Sequence, residues 1–130
     1  MADLDDVRRI VLALPATTER GSHSGHAQWR VKDKLVVWER PLHKPDLLAL
    51  GDAAPGGVIL GARVPDEGAK HALIAAEPGI YFTTPHFNGY PAVLIRLAEI
   101  PVSELEEVII EAWLDRAPAR LVKSYLADST

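Results

Sequence analysis

The sequence contains no cysteine, and this absence excludes several kinds of chemistry. Disulfides, thiolate metal sites and a cysteine nucleophile all require the missing side chain, and its absence fits a reducing compartment. The acidic start of the chain, MADLDD, is unlike the basic and then apolar start of a signal peptide. No apolar run approaches the ~20 residues needed to cross a bilayer. We therefore expect a cytoplasmic protein with no membrane partner.

Recognisable catalytic motifs are also lacking. The chain has no nucleophile elbow, no P-loop and no dinucleotide fingerprint. Serine, histidine and acid do not occur in an order that predicts a catalytic triad. The pair Gly56-Gly57 precedes a predicted strand but not the helix that phosphate binding would need. These absences predict a protein that is not an enzyme and that holds no cofactor.

What the chain does have is an ordinary globular composition with an uneven charge. Its 130 residues, 48% hydrophobic and 25% charged, suit a single domain. The net charge is −4. Five bases face two acids between Gln28 and Pro45, whereas six acids and no base occur from Glu99 to Asp115. One face is therefore expected to be mildly positive on a protein that is acidic overall.

Apolar periodicity and turn residues predict the elements of the first half. Asp3 caps a first helix that ends at Pro15, and a polar loop follows over Ala16–Gly25. Alternation predicts a β-hairpin of Ala27–Val31 and Leu35–Glu39 around a turn at Asp33-Lys34. A long connection then contains a helical turn at Leu47–Leu50.

Strands and helices are also predicted in the second half of the chain, with no internal repeat. We expect a strand over Val58–Val64, a helix from Pro65 to Ala76, and a second hairpin of Ile80–Thr83 and Ala92–Leu97. A capping box, Ser103 with Glu106, predicts the start of a long helix. Pro118 opens a final helix that is expected to bury Leu121, Val122, Tyr125 and Leu126. The order predicts an α+β fold: a mostly antiparallel sheet of about five strands with helices packed on one side.

The first hairpin carries the strongest candidate for a nucleic-acid surface. An extended basic hairpin can lie along a phosphate backbone or in a groove. The alternative is an ordinary solvated face, because Trp29 alternates to the side opposite Arg30 and is expected in the core. The candidate DNA-binding residues are Arg30, Lys32, Lys34, Arg40 and Lys44.

The second hairpin loop, Thr84–Pro91, offers a candidate pocket for a small molecule. It brings hydroxyl, amide, phenol and imidazole groups together, and His86 could act as a ligand contact or general base there. The alternative is a hairpin turn whose Phe87 and Tyr90 pack onto the core. The candidate lining residues are Trp38, Thr83, His86, Asn88 and Tyr90.

Metal binding is the third candidate chemistry. His23 and His26 are near each other, with Glu19 upstream, but zinc needs a third or fourth ligand in a fixed framework. No residue at a diagnostic spacing supplies one, so we expect loop histidines and no metal. The acids of Glu104–Asp115 have helix-surface spacing, which favours a solvated face over a catalytic pair. A protein-interaction surface on this acidic helix is a further alternative, for which the sequence offers no positive sign.

The chain resembles the MmcQ/YjbR family of small bacterial proteins over nearly its whole length. The resemblance is to an actinobacterial-type branch, and it implies a YjbR-like α+β domain of the double-wing type and a DNA-binding or regulatory role. It implies no catalytic residue. Candidate partners are duplex DNA, bound in a salt-dependent way, or a small molecule, and we expect a monomer or a weak dimer. The resemblance is carried by Leu14-Pro15, by Trp29-Arg30-Val31 with Lys34, most specifically by the segment Glu77–Leu94, and by Ala112-Trp113-Leu114, Ala117-Pro118 and Ser124-Tyr125-Leu126.

Overall fold

A computed structural model describes residues 2–21 and 25–128 of the chain. Six strands form one sheet in the order β1-β2-β3-β4-β6-β5, and each pairing between them is antiparallel. The strands are β1 (Thr17–Gly21), β2 (Ala27–Val31), β3 (Lys34–Glu39), β4 (Ile59–Arg63), β5 (Tyr81–Phe82) and β6 (Ala92–Arg96). The helices are α1 (Leu4–Leu12), α2 (Lys44–Leu50), α3 (Glu67–Ala76), α4 (Val102–Arg116) and α5 (Ala119–Asp128). The predicted α+β fold with an antiparallel sheet is confirmed.

The main core lies between one face of the sheet and α1 and α4. Directly paired residues of antiparallel strands point to the same face, so Trp29, Val37, Ala62 and Val93 form one row across four strands. All four are buried, and the apolar stripe of α4 packs against this face. Trp113 of α4 is fully buried, and its indole N–H donates to the carbonyl of Pro15, which ties α4 to the end of α1.

A second, smaller core covers part of the opposite sheet face. It contains Ile59, Phe82, Phe87 and Leu94, with Trp38, Leu42 and Leu50 packed around them. α2 therefore packs on the side of the sheet away from α4, whereas the sequence predicted all helices on one side. Leu47 and Leu48 of α2 remain largely exposed, so the amphipathic signal of this short helix is weak and its side cannot be read from its sequence.

A sixth strand forms where a polar loop was predicted. β1 has no apolar residue on either face, so alternation cannot reveal it. Thr17 and Glu19 share the face of the main core, opposite Val31 and Trp29. The exposed Glu19 accepts hydrogen bonds from Arg8 Nε at 2.8 Å and from the indole N–H of Trp29 at 2.9 Å. The carboxylate is thus neutralised at the edge of the core, and this pairing replaces the usual apolar contact. The β-branched pair Thr17-Thr18 is the one local sign of a strand.

Two turn and cap predictions were also wrong in detail. The hairpin turn lies at Lys32-Asp33, one residue earlier than predicted, and both residues have a positive φ (49° and 69°) as a tight hairpin turn requires. α4 begins at Val102 with Pro101 as its N-cap, so Ser103 lies inside the helix and makes no capping hydrogen bond.

The C-terminal helix is less buried than its apolar stripe predicted. Leu126 is 49% exposed, while Tyr125 packs against Trp113 with ring centroids 5.1 Å apart. In the described part of the chain no helix is both long and apolar enough to span a membrane.

Candidate functional site

The basic residues of the first hairpin lie on and beside an uncovered part of the sheet. Pairing places Arg20 opposite Gln28, and Gln28 opposite Trp38, so these residues share the face that carries the second core. Within residues 2–21 and 25–128, α2 and Phe87 cover that face near β4, β5 and β6, and the second core includes no residue of β1 or β2, whose residues on this face are polar. We call this uncovered part the open sheet face; it consists of Thr18, Arg20, Gln28 and Arg30 and the adjoining turn Lys32-Asp33.

Hydrogen bonds fix the guanidinium groups on the open sheet face. Arg30 donates from Nε and Nη2 to Gln28 Oε1, at 3.2 and 3.0 Å, and from Nη1 to the Asp33 carbonyl at 2.8 Å. Arg20 forms an ion pair with Asp33. Lys32 and Lys34 are exposed at the hairpin end, and Lys44 is exposed at the start of α2. Arg20 was missed by sequence analysis because β1 was interpreted as a loop.

Arg40 does not belong to this surface, which corrects the prediction. It is 7% exposed, and its Nη2 lies 3.0 Å from Asp46 Oδ2. The guanidinium carbon is 5.2 Å from the centroid of the Phe87 ring. Because its charge is paired and buried within the second core, Arg40 stabilises the fold and is not available to a phosphate backbone.

The loop that was predicted to line a pocket is instead packed against the second core. Phe87 is buried, and its carbonyl accepts a hydrogen bond from Nζ of buried Lys70 at 2.8 Å. Thr84 is also buried and donates its hydroxyl to Asp46 Oδ1 at 3.0 Å. Phe87 thus packs as the alternative interpretation of this loop predicted, whereas Tyr90, which was also expected to pack onto the core, is 38% exposed.

The predicted lining residues of that pocket do not converge. His86 and Asn88 are exposed, with the His86 imidazole edge-on to Phe87 at 5.1 Å. Tyr90 lies under the guanidinium of Arg63, whose carbon is 4.8 Å from the ring centroid. Trp38 packs over Gly61 in the second core. Neither of the two cavities described for this chain is lined by Trp38, Thr83, His86, Asn88 or Tyr90.

The histidine and acid group considered for a metal is used in other ways. Glu19 is bonded to Arg8 and Trp29, and His26 Nδ1 lies 3.3 Å from Glu39 Oε2. His23 lies outside the described residues. Within residues 2–21 and 25–128, no three side chains of histidine, cysteine, aspartate or glutamate are grouped so that they could hold a metal ion.

A cleft of about 660 Å³ between α3 and α4 was not anticipated. Its apolar wall includes Val64, Leu73 and Val108. Glu104, Glu107 and Glu111 of α4 line it at spacings of three and four residues, next to Val108. This stripe was assigned to the solvated face of α4. The missed signal is that the acids flank an apolar position of the same helix.

Three polar groups meet at one end of the cleft. The Tyr81 hydroxyl donates to Glu104 Oε2 at 2.6 Å, and Tyr81 is only 1% exposed. Burial, together with this hydrogen bond, raises the pKa of Tyr81 well above its usual range, so the hydroxyl stays protonated. The neighbouring Glu104 carboxyl, through a side-chain hydrogen bond and its charge, raises the pKa of Glu77 together with partial burial.

The fold and the open sheet face define a class of small α+β protein with one uncovered, basic part of its sheet. Comparison with known proteins identifies the family. The YjbR family model matches residues 12–115, and the chain belongs to that family. The resemblance found in the sequence is thus confirmed.

Relatives and a solved structure agree with this assignment. The chain is 60% identical to the uncharacterized protein Rv2570 of Mycobacterium tuberculosis and to the uncharacterized protein Mb2600 of Mycobacterium bovis, over 99% of each chain. Its fold is similar to that of Deinococcus radiodurans protein DR2400, a DUF419 domain, with a TM-score of 0.65 at 20% identity. That match covers 88% of this chain and 78% of the other.

Proposed function

We propose that this chain is a non-enzymatic DNA-binding protein that contacts the phosphate backbone through the open sheet face and the exposed lysines beside it. The observation that carries the proposal is the bare polar sheet face at β1 and β2, where Arg20 and Arg30 lie on adjacent strands. Arginine and lysine neutralise phosphates, and a β-ribbon is a known shape for reading DNA grooves.

Preorganised side chains support this use of the surface. Arg30 is held by Gln28 and by the Asp33 carbonyl, so it would lose less conformational freedom on binding than an unconstrained arginine. The guanidinium fork is suited to bidentate contact with phosphate oxygens. Lys32 and Lys34 extend the positive surface beyond the sheet edge, and Lys44 adds a charge on α2, which packs against the same sheet face.

The distribution of charge gives such a complex an orientation. The acids of α4 lie on the side of the sheet that packs against α1 and α4, away from the open sheet face. A polyanion is repelled by that side and attracted by the other, so a protein of net charge −4 can still dock in one direction. Affinity is expected to be modest because Asp33 offsets part of the positive charge.

A non-enzymatic role fits the use of the buried polar side chains. Arg40, Asp46, Lys70 and Thr84 bond to one another, to Glu67 or to backbone carbonyls, and none of them lines the cleft between α3 and α4. These groups stabilise the packing of α2, α3 and the Thr84–Pro91 loop.

Fluorescence anisotropy with a short labelled duplex tests the proposal. We expect binding at micromolar protein in low salt, and a log–log salt slope of about −3 to −4 if three or four phosphates are neutralised. The double variant Lys32→Gln/Lys34→Gln should weaken binding and reduce the magnitude of the slope by roughly 2.

The matched control is Arg120→Gln/Lys123→Gln, which removes two exposed charges from α5 and leaves the hairpin unchanged. This variant should retain nearly all of the affinity. No anisotropy change at micromolar protein and low salt would refute the proposal. Equal losses in the two double variants would assign any binding to overall charge and not to the open sheet face.

A further inference from the structure

We propose that the cleft between α3 and α4 binds a small amphipathic amine, with its ammonium group at Glu104 and its hydrocarbon body against Val64, Leu73 and Val108. This site is separate from the open sheet face, because it lies on the side of the sheet that packs against α4. It needs no residue of the hairpin.

The shape of the cleft suits a small molecule. Its volume of about 660 Å³ lies within the range of known small-molecule sites, roughly 300–1,000 Å³. Val64 forms a buried part of the wall, and Ala69, Ala72 and Leu73 of α3 face Val108 of α4 across it. A hydrocarbon chain placed there would leave water for an apolar surface, which is favourable.

Charge complementarity specifies a cation as the polar group of the ligand. Glu77, Glu104, Glu107 and Glu111 line the cleft. Among the described residues, no lysine, arginine or histidine forms an ion pair with any of these four carboxylates. Arg63, the one base in the lining, donates to the Pro91 carbonyl and to the Tyr90 hydroxyl.

Buried Tyr81 gives the cation site a fixed framework. Its hydroxyl donates to Glu104 Oε2 and so holds that carboxylate in place, leaving Oε1 as an acceptor. An ammonium group has three N–H donors and can bond Glu104 together with Glu77 or Glu107. Anionic ligands are disfavoured by the same carboxylates.

Proton release is expected to accompany binding. The groups that face Glu104 are Glu77 at the end of α3, Tyr81 on β5, and Glu107 of its own helix, with Arg63 and Glu111 farther along the cleft. Because the neighbouring Glu104 carboxyl raises the pKa of Glu77, an ammonium group bound between the two acids would favour ionised Glu77 and release its proton. Affinity should therefore rise as pH increases through the raised pKa of Glu77, and fall again above about pH 10, where an alkylamine loses its charge.

A titration followed by amide NMR shifts tests the proposal with three probes of one chain length: n-hexylamine, n-hexanol and hexanoate. We expect n-hexylamine to shift resonances of α3 and α4 and to bind at least about tenfold more tightly than n-hexanol, as a hydrogen-bonded charge predicts. Hexanoate should bind more weakly than n-hexanol.

Variants separate the cation site from general surface charge. Glu104→Gln keeps an acceptor for Tyr81 and should weaken n-hexylamine binding by about tenfold. Glu106→Gln makes the same charge change on an exposed residue of α4 that does not line the cleft, and should leave binding unchanged. Ala72→Trp should block all three probes, with thermal melting as a control for folding.

Three results would overturn the inference. One is the absence of shifts in α3 and α4 with n-hexylamine. Another is equal affinity for n-hexylamine and n-hexanol, which would indicate an apolar groove only. The third is an equal loss of binding in Glu104→Gln and Glu106→Gln, which would indicate non-specific attraction to an acidic surface.

Discussion

Asp46 shows how a single buried residue joins three parts of the chain. It is 2% exposed and accepts hydrogen bonds from the His43 backbone N–H at 2.8 Å, from the Thr84 hydroxyl at 3.0 Å and from Arg40 at 3.0 Å. Burial acts to raise the pKa of Asp46, but the hydrogen bonds from His43 and Thr84 and the charge of Arg40 outweigh it, so the pKa is lowered. The carboxylate is therefore ionised inside the second core.

Replacing Asp46 by alanine should strongly destabilise the protein. Arg40 would remain buried without its partner, and breaking a buried ion pair in this way costs about 3–5 kcal/mol. Asp46→Asn keeps an oxygen acceptor and should cost less. Urea unfolding followed by circular dichroism measures both. Asp52→Ala, at an exposed acid just after α2, is the matched control and should change stability by less than about 0.5 kcal/mol.

Arg40 illustrates what the sequence could not predict at the scale of residues. The alternation of β2 correctly separated Trp29 from Arg30, because both belong to one strand and one period. Arg40 directly follows β3, between Glu39 and Pro41, and these neighbours give no sign of burial. Its partner Asp46 is held by Thr84, which lies 38 residues farther along the chain. A contact of that kind depends on the packing of α2 and cannot be inferred from local spacing.

The strands show a similar division at the scale of elements. β2, β3, β4 and β6 could be predicted because each has apolar residues on at least one face. β1 could not, because Thr17 and Glu19 on its core side and Thr18 and Arg20 on its other side are all polar. The cleft between α3 and α4 was also missed, since the acid stripe of α4 has the same spacing whether it faces water or a second helix, and the apolar Val108 beside the acids was the one local sign of it.

The contact of β3 with β4 through Trp38 and Gly61 leads to a prediction about the sheet. A methyl group built on Gly61 would lie 2.5 Å from ring atoms Cε2 and Cζ2 of Trp38. Gly61→Ala must therefore displace the indole from the second core. We expect the free energy of unfolding to fall by about 1–3 kcal/mol, as for other overpacked sites. Urea unfolding measures the loss.

Gly56→Ala is the control for that substitution, because no atom lies within 4 Å of the added methyl position. Its free energy of unfolding should lie within about 0.5 kcal/mol of that of the parent chain. If the two substitutions had the same effect, the cost would come from glycine flexibility and not from Trp38. In a Trp38→Leu background, alanine and glycine at position 61 should give nearly the same free energy of unfolding.

At the scale of the whole molecule, the two sides of the sheet differ in charge and in proposed ligand. The open sheet face carries Arg20 and Arg30, and the side of the sheet that packs against α4 presents the acids of that helix. Several acids also differ in the direction of their pKa shift. Hydrogen bonding and charge from Arg8 lower the pKa of Glu19, and the pKa of Asp46 is also lowered. In contrast, the hydrogen bond with Glu104 raises the pKa of Glu77.

These opposite shifts predict a stability curve with two limbs. Asp46 and Glu19 contribute stability above their unfolded pKa values, about 4, which is lost as pH falls through their lower folded values. Glu77 contributes stability below its unfolded pKa, about 4.3, which is lost as pH rises through its higher folded value. The melting temperature should therefore decline on both sides of a mildly acidic maximum.

Each limb can be assigned with one substitution, using melting temperatures measured by circular dichroism across both limbs. Glu77→Gln removes the repulsion between this side chain and Glu104 and should melt above the parent chain at neutral pH, with the difference shrinking as the pH falls and Glu77 of the parent chain takes up a proton. Asp46→Asn should melt lower at neutral pH and lose less on acidification. If either variant followed the parent curve with a constant offset, the titration of that residue would not be the cause of the limb assigned to it. Agreement of both would show that the proton at the cleft and the ion pair of the second core affect stability independently, from opposite faces of one sheet.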